Sequence, residues 1–329
     1  MSVLFLDKNK NNIKFHKSIN TITLNKKKIN FKIFIISIFD YILSFFQKPL
    51  RHYYLENYCK NFKPRIIIGD QFNTVLFTLK DKFPDIKIYM YFSYLMSPDL
   101  QKNYINNSQI TGKIDYLFLP HRKLILFLKK KIQATYIYSG FLKNNEIKLN
   151  KFQKKKYDLM IISEYRNGIE KKKLKKINLA FKVLSNIVYK YRLKTCIAFV
   201  SKRPDKLRQV KYEDEKKFYD KFNFKYTISN LDSYSQSCQS KIILSMNSNL
   251  GYELLSRGQK VIFISNGQEI YLEKYPFVSK IKDMEKNIIK LLTMKISFYK
   301  KIFLKKDIIK FDQGNKILKK QIRKDLNKL

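Results

Sequence analysis

The stretch between residues 240 and 265 carries the pattern best suited to bind a substrate. It reads Ser-Lys-Ile-Ile-Leu-Ser-Met-Asn-Ser-Asn-Leu-Gly-Tyr-Glu-Leu-Leu-Ser-Arg-Gly-Gln-Lys-Val-Ile-Phe-Ile-Ser, which predicts a strand, a polar turn, a short helix and a second strand. Asn247, Ser248 and Asn249 supply helix-capping chemistry in the turn, and Gly258 ends the helix. Unpaired N–H groups and the positive end of the helix dipole meet at such a turn. We therefore predict that it binds the phosphates of a nucleotide-linked donor, with plain helix capping as the alternative.

Polar side chains also follow the other predicted strands. Ligands of open α/β sheets bind beyond the carboxyl ends of the strands, so the residues at these ends are candidates for a functional site. In the first half of the chain the candidates are Asp70, Gln71, Ser93, His121, Ser139 and Gly140. In the second half they are Glu164, Arg166, Ser201, Arg203, Asn247, Ser248 and Asn249, and the neighbouring helix adds Gly251 and Glu253.

Each charged candidate has a predicted role and a plainer alternative. Asp70 is the predicted general base for an acceptor hydroxyl, or else a cap for the next helix, and Glu164 is the second candidate catalytic carboxylate. Glu253 is predicted to bind ribose or sugar hydroxyls, or else it is a carboxylate favoured by the helix dipole. Arg166 and Arg203 are predicted to neutralise a diphosphate leaving group, with solvated surface arginines as the alternative.

Several chemistries are disfavoured by what the sequence lacks. Neither G-x-x-x-x-G-K-[ST] nor G-x-G-x-x-G occurs, which argues against P-loop and dinucleotide-binding proteins, and there is no G-x-S-x-G turn. With 3 histidines and no Asp-x-Asp pair at a strand end, we expect neither a metal nor a cofactor. The three cysteines, Cys59, Cys196 and Cys238, are far apart and indicate a reduced compartment rather than disulfides or a zinc site.

The formal net charge of +42 favours an anionic partner. The charge is spread along the chain, and Lys occurs with abundant Ile, Asn, Phe and Tyr, as AT-rich codons produce, so a nucleic-acid partner is disfavoured. An anionic membrane surface stays open. The apolar run 34–46 is too short to span a bilayer and predicts a core helix. Its alternative is a helix in the membrane interface, flanked by Lys26–Lys28, Lys48 and Arg51.

Strands and helices alternate along both halves of the chain, which predicts parallel sheets. The predicted strands are 2–6, 65–68, 87–91, 115–119, 135–138, 158–163, 195–200, 226–228, 242–244 and 260–264. The predicted helices are 33–46, 51–62, 74–83, 122–131, 172–191, 213–222 and 231–239, with a basic helical region from 284 onward. The polar stretch 140–157 breaks the alternation and is the predicted linker. We therefore predict two doubly wound α/β domains, 1–145 on the acceptor side and 146–329 on the donor side with a basic helical tail.

Four stretches resemble the surface carbohydrate biosynthesis proteins, GT-B-type chains similar to capsule and lipopolysaccharide glycosyltransferases and to polyglycerophosphotransferases. The most specific is 245–258 followed by Lys260-Val-Ile, in which Asn249 stands where Thr is usual. The others are 64–70 with the downstream Phe83-Pro84, residues 114–145, and residues 158–166. The resemblance implies two Rossmann-like domains facing a cleft, a nucleotide-activated donor held by the second domain, an acceptor held by the first, and no obligatory metal.

These observations together predict a metal-independent, glycosyltransferase-like enzyme of surface polysaccharide biosynthesis. Its donor would be a nucleotide sugar and its acceptor a glycan or a lipid-linked precursor. No signal-peptide pattern opens the sequence, so we expect a cytoplasmic protein, free or peripheral at the inner face of the cell membrane. Two alternatives stay open: a nucleotide-sugar 2-epimerase of the same fold, and a non-catalytic protein that binds membranes or polyanions.

Overall fold

The computed structural model describes residues 2–5, 20–23, 30–93, 111–150, 153–202, 210–246, 248–264, 275–304 and 309–327. The strands are β1 (Ser2–Phe5), β2 (Asn20–Thr23), β3 (Ile66–Asp70), β4 (Lys87–Tyr91), β5 (Gly112–Leu119), β6 (Ile132–Tyr138), β7 (Tyr157–Ile162), β8 (Thr195–Ala198), β9 (Tyr226–Ile228), β10 (Ser240–Ser245), β11 (Val261–Ile264) and β12 (Val278–Ser279). The helices are α1 (Phe31–Leu43), α2 (Leu50–Phe62), α3 (Val75–Lys82), α4 (Leu124–Leu128), α5 (Leu142–Glu146), α6 (Lys171–Lys190), α7 (Tyr212–Asp220), α8 (Ser233–Cys238), α9 (Asn249–Ser256), α10 (Met284–Thr293), α11 (Ile296–Leu304) and α12 (Lys316–Asn327).

The chain divides into two compact units, each built on one parallel sheet. The first unit comprises Met1–Leu95, Leu100–Ile147 and Lys310–Leu329, and the second comprises Met96–Asp99 and Lys148–Ile309. The sheet of the first unit has the strand order β2-β1-β3-β4-β5-β6, and that of the second β12-β11-β10-β7-β8-β9. Every strand pair is parallel, which confirms the predicted α/β class and its two doubly wound sheets.

The strands are apolar on both faces because helices cover both faces of a doubly wound sheet. Ile66, Ile67 and Ile68 in β3 are all buried, and so are all four residues of β11. Such runs are the sequence signal by which the central strands were predicted. The two-residue β12 and the polar strand β2 lack this signal, and sequence reasoning missed both.

The C-terminal tail corrects the predicted domain division. Helix α12 presents Leu318, Ile322 and Leu326 at intervals of four residues, so the three side chains form one apolar stripe. That stripe lies in the same buried cluster as Ile68 and Tyr89 of the first sheet, and the Tyr89 hydroxyl donates to Asp325. The tail therefore belongs to the first unit, although we predicted it as part of 146–329. Each fully buried apolar side chain of this size stabilises the fold by about 2 kcal/mol.

The predicted linker at 140–157 is also partly folded. Residues 142–146 form the short helix α5, and the structure divides the units between Ile147 and Lys148. Asn145 explains why this stretch is ordered: its side chain donates to the Ser139 carbonyl at 2.9 Å and to Asn315 Oδ1 at 2.9 Å. The polar residues taken as linker composition are hydrogen-bonding partners for the returning tail.

Each sheet contains one point at which the strand order reverses. In the second unit this switch point lies between β7 and β10, and in the first unit between β1 and β3. Ligands of open α/β sheets bind beyond the carboxyl ends of the strands at such points. The topology therefore selects two of the predicted polar turns, the one after β10 and the one after β3.

Candidate functional site

The switch point of the second unit brings together the turns that follow β7 and β10. The two strands pair in parallel with Leu244 beside Ile161, so Ser163 and Met246 leave the sheet side by side. Ser163 leads to the candidates Glu164 and Arg166, while Met246 leads to the turn at Ser248. Asn247 and Arg203, two further candidates, lie outside the described residues.

The turn before α9 is built around Ser248. Its backbone is extended (φ −85°, ψ 139°), its N–H donates to Ser245 Oγ at 3.2 Å, and its carbonyl accepts from the Gly251 N–H at 2.9 Å. The Ser248 side chain makes no capping hydrogen bond to the helix, and both Ser248 and Asn249 are only half-buried. The helix therefore begins without a serine cap, which leaves the Ser248 hydroxyl available to a bound anion at the positive end of the helix dipole.

Gly251 is required by the packing of α9 against β10. A Cβ built at Gly251 would lie 2.5 Å from Ser245 Oγ, 2.7 Å from Ser245 Cβ and 3.0 Å from Phe263 Cε1. Only a residue without a side chain allows the first turn of the helix to approach the strand so closely. The structure thus gives Gly251 a packing role, and its predicted contact with a donor stays a prediction.

We expect Gly251→Ala to lower the free energy of unfolding of the second unit by about 2 kcal/mol, because the methyl group would overlap the buried side chains of Ser245 and Phe263. The change is measured by urea denaturation. Gly69→Ala is the matched control. A Cβ at Gly69 would have one neighbour closer than 3.4 Å, the flexible end of the Leu76 side chain at 3.0 Å. If Gly251→Ala lowers the free energy of unfolding no more than Gly69→Ala does, this account of the packing is wrong.

Glu253 lies in a polar cluster on the next turn of α9. The Tyr234 hydroxyl donates to its carboxylate, and the Arg257 guanidinium lies 5.8 Å from the centre of the Tyr234 ring. Burial lowers the pKa of Arg257, and the nearby Tyr234 and Glu253 oppose that shift. Glu253 is only 8% exposed, so most of the residue is shielded from solvent in this conformation. Sequence reasoning missed Tyr234 and Arg257, because they come together only through the packing of α8 against α9.

Glu215 is the main residue that sequence reasoning placed wrongly. The acidic run 213–215 is typical of a solvated helix start, but Glu215 is fully buried. Its carboxylate accepts from the backbone N–H groups of Val200 and Ser201, both at 2.8 Å, and from the Ser163 hydroxyl. It therefore ties the turn after β8 to the turn after β7. Phe218 and Tyr219, three and four residues after Glu215, are buried on the same side of the helix. This spacing is the sequence signal that could have indicated a buried Glu215.

The remaining candidates of the second unit lie around this carboxylate. The Glu164 side chain is buried, and its N–H donates to the Tyr219 hydroxyl at 2.9 Å. The Oγ of Ser201 is buried and has no hydrogen-bond partner among the described residues. Arg166 is half-buried and close enough to Lys173 to interact electrostatically.

Lys173 is a further cation at this edge, and the sequence did not single it out. Burial lowers the pKa of its ammonium group, Arg166 lowers it further, and Glu164 raises it. Arg166 and Lys173 are thus two cations near the Glu164 carboxylate, in the segment that follows β7. Together they can offset the negative charge of a leaving phosphate.

The switch point of the first unit presents Asp70. Its Oδ1 accepts from the Phe72 N–H at 3.1 Å and from Asn73 Nδ2 at 2.6 Å, while Arg51 donates to Asn73 Oδ1. These bonds shape the turn before α3, so Asp70 has a structural role close to the capping alternative. It is also only partly buried at the carboxyl end of β3, and its role as a base stays a prediction.

Gln71 and Ser93 are joined in the same unit. Gln71 is fully buried and its Oε1 accepts from the Ser93 N–H at 2.6 Å, which connects the turn after β3 to the turn after β4. Ser93 itself is exposed. Ser93 is therefore the better placed of the two to meet an acceptor.

Gly140 packs against the returning tail, and the Ser139 carbonyl accepts from the Asn145 side chain that also binds the tail. Ser139 is fully buried, so neither its side chain nor its backbone reaches the surface in this conformation. Gly140 has φ +80°, and a Cβ there would lie 2.2 Å from the Lys310 carbonyl oxygen. The geometry gives Gly140 a packing role against Lys310, and the predicted acceptor contacts of Ser139 and Gly140 stay predictions.

A family model described as "putative O-antigen biosynthesis protein" matches residues 98–284, more than half of the chain. The chain belongs to this O-antigen biosynthesis family. That membership agrees with the resemblance to surface carbohydrate biosynthesis proteins stated above. No curated protein matches the chain.

Solved structures share the fold of this O-antigen family member at low sequence identity. The UDP-GlcNAc 2-epimerase from Neisseria meningitidis bound to UDP-GlcNAc has a TM-score of 0.57 and 14% identity, with 100% of each chain covered. The S. aureus MnaA–UDP co-structure has a TM-score of 0.60 and 13% identity, over 100% of this chain and 97% of that one. A glycosyltransferase from Rickettsia africae has a TM-score of 0.51 and 12% identity, over 94% and 86%. These likenesses establish a fold found in both enzyme classes.

Two negative findings apply to the described ranges only. No helix there is long and apolar enough to cross a membrane. No group of three or more His, Cys, Asp or Glu side chains in the same ranges is arranged to hold a metal ion.

The three cysteines are free and buried, and burial raises the pKa of the Cys59 thiol to about 12.

Proposed function

We propose that the protein transfers a sugar or sugar-like group from a nucleotide-activated donor to a glycan or lipid-linked acceptor of O-antigen or capsule synthesis. The observation that carries the proposal is the start of α9 at the β7/β10 switch point, where the Ser248 side chain does not cap the helix. Family membership supplies the biosynthetic context. A uridine diphosphate donor is the first to test, because two structures of this fold hold UDP or UDP-GlcNAc.

In this proposal Ser248, Asn249 and the first turn of α9 bind the donor phosphates. Arg166 and Lys173 offset the charge of the departing nucleotide, together with Arg203 outside the described residues. Stabilising that developing charge supplies most of the rate gain. Glu253 binds hydroxyl groups of the donor, and Asp70 accepts the proton of the attacking acceptor hydroxyl. No metal or cofactor takes part.

The location of the reaction is part of the same proposal. The donor is used in the cytoplasm, and a lipid-linked acceptor is reached at the inner face of the cell membrane. The protein would then be peripheral.

The test of the donor site is Ser248→Asp. Aspartate is a good helix cap, so we expect the free protein to keep or raise its melting temperature. A carboxylate at the phosphate position repels a diphosphate, and we expect UDP to bind about tenfold more weakly or worse. Thermal shift with UDP, CMP, CDP and GDP measures binding, since a ligand specific for the native state raises the midpoint.

Ser297→Asp is the matched control for this test, because Ser297 is exposed in the first turn of α11, away from the switch point. It should leave nucleotide binding unchanged. Equal nucleotide binding by Ser248→Asp and the native protein contradicts the assignment of the donor site.

A 2-epimerase is the second candidate, because the epimerase from Neisseria meningitidis matches over the whole of both chains. It predicts conversion of UDP-GlcNAc with no acceptor present, whereas a transferase consumes it only when an acceptor is added. A non-catalytic binder predicts strongly salt-dependent association with polyanions and no turnover in either assay.

A further inference from the structure

Helix α1 in the first unit leaves a large apolar surface exposed, although we predicted a core helix: only its residues Ile33 and Ser37 are buried. The exposed large side chains of the helix and the turn after it are Phe31, Ile35, Ile36, Phe39, Ile42, Leu43, Phe45 and Phe46, and we refer to these eight residues as the apolar face. Phe31 and Leu43 are each 74% exposed and Phe45 is 87% exposed. At 3.6 residues per turn, the six helical members occupy one continuous arc of the helix. Contiguous exposed apolar patches of this kind mark interaction sites.

Two polar residues of the same helix, Ser37 and Asp40, are turned inward. Ser37 is fully buried and accepts a hydrogen bond from Asn57 Nδ2 at 3.2 Å, and the same Asn57 group donates to Asp40 at 2.7 Å. Asn30 caps the helix at Ile33 and donates its own N–H to Tyr54 at 3.0 Å. These bonds to α2 fix the rotation of α1. The outward position of its apolar face is therefore built into the packing.

The turn that follows α1 extends the apolar face. Phe45 and Phe46 have φ values of +52° and +61°, a left-handed backbone that residues with side chains rarely adopt. Two consecutive residues in this conformation hold two aromatic rings in solvent, with Phe46 60% exposed. Strained backbone that displays side chains is found at functional sites.

The sequence segment that carries the apolar face is basic. Between residues 30 and 65 the sequence has six basic residues, Lys32, Lys48, Arg51, Lys60, Lys63 and Arg65, against two acidic ones, Asp40 and Glu56. Both acidic side chains are engaged inside the unit, Asp40 by Asn57 and Glu56 by Lys48 and Lys82. Three more lysines, 26–28, precede the helix in the sequence. Lys32, Arg51, Lys60 and Lys63 are exposed, and we refer to these four residues as the basic rim. An apolar face with a basic rim complements a bilayer, whose interior is apolar and whose headgroups carry negative charge.

We propose that the apolar face of α1 and its turn docks on an anionic lipid bilayer, with α1 lying in the plane of the headgroups. A helix of 13 residues is too short to span the bilayer, but its apolar side chains can enter the boundary of the acyl chains. The basic rim would contact anionic headgroups and favour them over neutral ones. A second copy of the chain fits less well, because two such rims would repel each other.

The position of the apolar face links it to the acceptor edge of the first unit. Arg51 follows Phe46 by five residues and donates to Asn73, which in turn donates to Asp70. One short segment, 46–51, and two hydrogen bonds therefore connect the apolar face to the turn that carries the predicted base, Asp70. The inference rests on the proposed membrane location but not on the proposed transfer chemistry.

The chain contains no tryptophan, which allows a direct test with the full-length protein. Phe39→Trp places one fluorophore in the apolar face, and Leu126→Trp places one at an exposed site of α4 in the same unit. With vesicles of phosphatidylcholine and phosphatidylglycerol, we expect the emission of Phe39→Trp to shift to the blue and that of Leu126→Trp to stay unchanged. Equal responses from the two variants overturn the proposal.

Vesicle sedimentation tests the energetic role of the apolar face. The triple variant Phe39→Gln, Leu43→Gln and Phe45→Gln should bind anionic vesicles roughly thirtyfold more weakly, because three apolar side chains no longer leave water. The control variant Leu126→Gln, Leu179→Gln and Tyr189→Gln likewise replaces three exposed large side chains by glutamine, but outside the apolar face, and should bind as the native chain does.

Native protein that sediments with anionic but not with pure phosphatidylcholine vesicles supports the proposal. Unchanged binding by the first triple variant overturns it. The proposal is also overturned if the native protein is a dimer, and the first triple variant is a monomer that binds vesicles as the native protein does. In that case a second copy of the chain covers the apolar face. Thermal shift with UDP on the same variants separates this result from the donor site: loss of vesicle binding with retained UDP binding concerns the apolar face alone.

Discussion

Replacing Asp70 by asparagine should lower the rate constant of sugar transfer by about 10²–10⁴-fold, the range lost when a positioned general base is removed. The amide keeps an oxygen that can accept from the Phe72 N–H and the Asn73 side chain, so the turn before α3 should keep its shape. What disappears is the negative charge and the capacity to accept a proton. The loss should therefore appear in kcat, with the midpoint of urea unfolding nearly unchanged.

Two controls separate catalysis from folding in that experiment. Asp85→Asn makes the same change at an exposed position of the first unit and should leave transfer unaffected. Asn73→Ala removes one hydrogen bond to Asp70 without removing its charge, and we expect a smaller loss than with Asp70→Asn. Should Asp70→Asn keep full activity, the carboxylate only shapes the turn.

Glu215→Ala should destabilise the second unit by about 3 kcal/mol, because it leaves the N–H groups of Val200 and Ser201 and the Ser163 hydroxyl without their buried acceptor. The turns after β7 and β8 would also lose the group that joins them. We therefore expect UDP to stabilise the variant less than it stabilises the native protein. Urea unfolding with and without UDP measures both effects.

The conservative variant Glu215→Gln keeps one acceptor oxygen but presents its amide group to a second donor. The free energy of unfolding of Glu215→Gln should fall between that of the native protein and that of Glu215→Ala. Glu213→Ala lies on the same helix but is exposed, so we expect a change of about 0.5 kcal/mol or less. If Glu215→Ala behaves like Glu213→Ala, Glu215 does not join the two turns.

The parts of the fold that were predicted correctly are those determined by local pattern. Central strands such as β3 are apolar on both faces and short, and the turn at Ser248 combines capping residues with the start of a helix. Both signals can be read within a window of about ten residues. The two doubly wound sheets and the polar turns at their carboxyl edges follow from such windows.

The parts that were missed depend on residues far apart in the sequence. The pattern of α12 identifies an amphipathic helix, but nothing local shows that its apolar stripe packs on the first sheet. The acidic run 213–215 suggests solvent, and only the turns around Glu215 show why one of its carboxylates is buried. The outward face of α1 is likewise set by its hydrogen bonds to α2, since its composition is the same in either orientation.

The return of α12 to the first sheet also constrains how the chain is made. A ribosome synthesises the strands of that sheet early but supplies Leu318, Ile322 and Leu326 only after the whole second unit has been translated. Until then the side chains of the first sheet that pack on this stripe stay uncovered, so the core of the first unit is incomplete while the second unit is synthesised and folds. A fragment that stops at residue 147 would carry the same defect permanently.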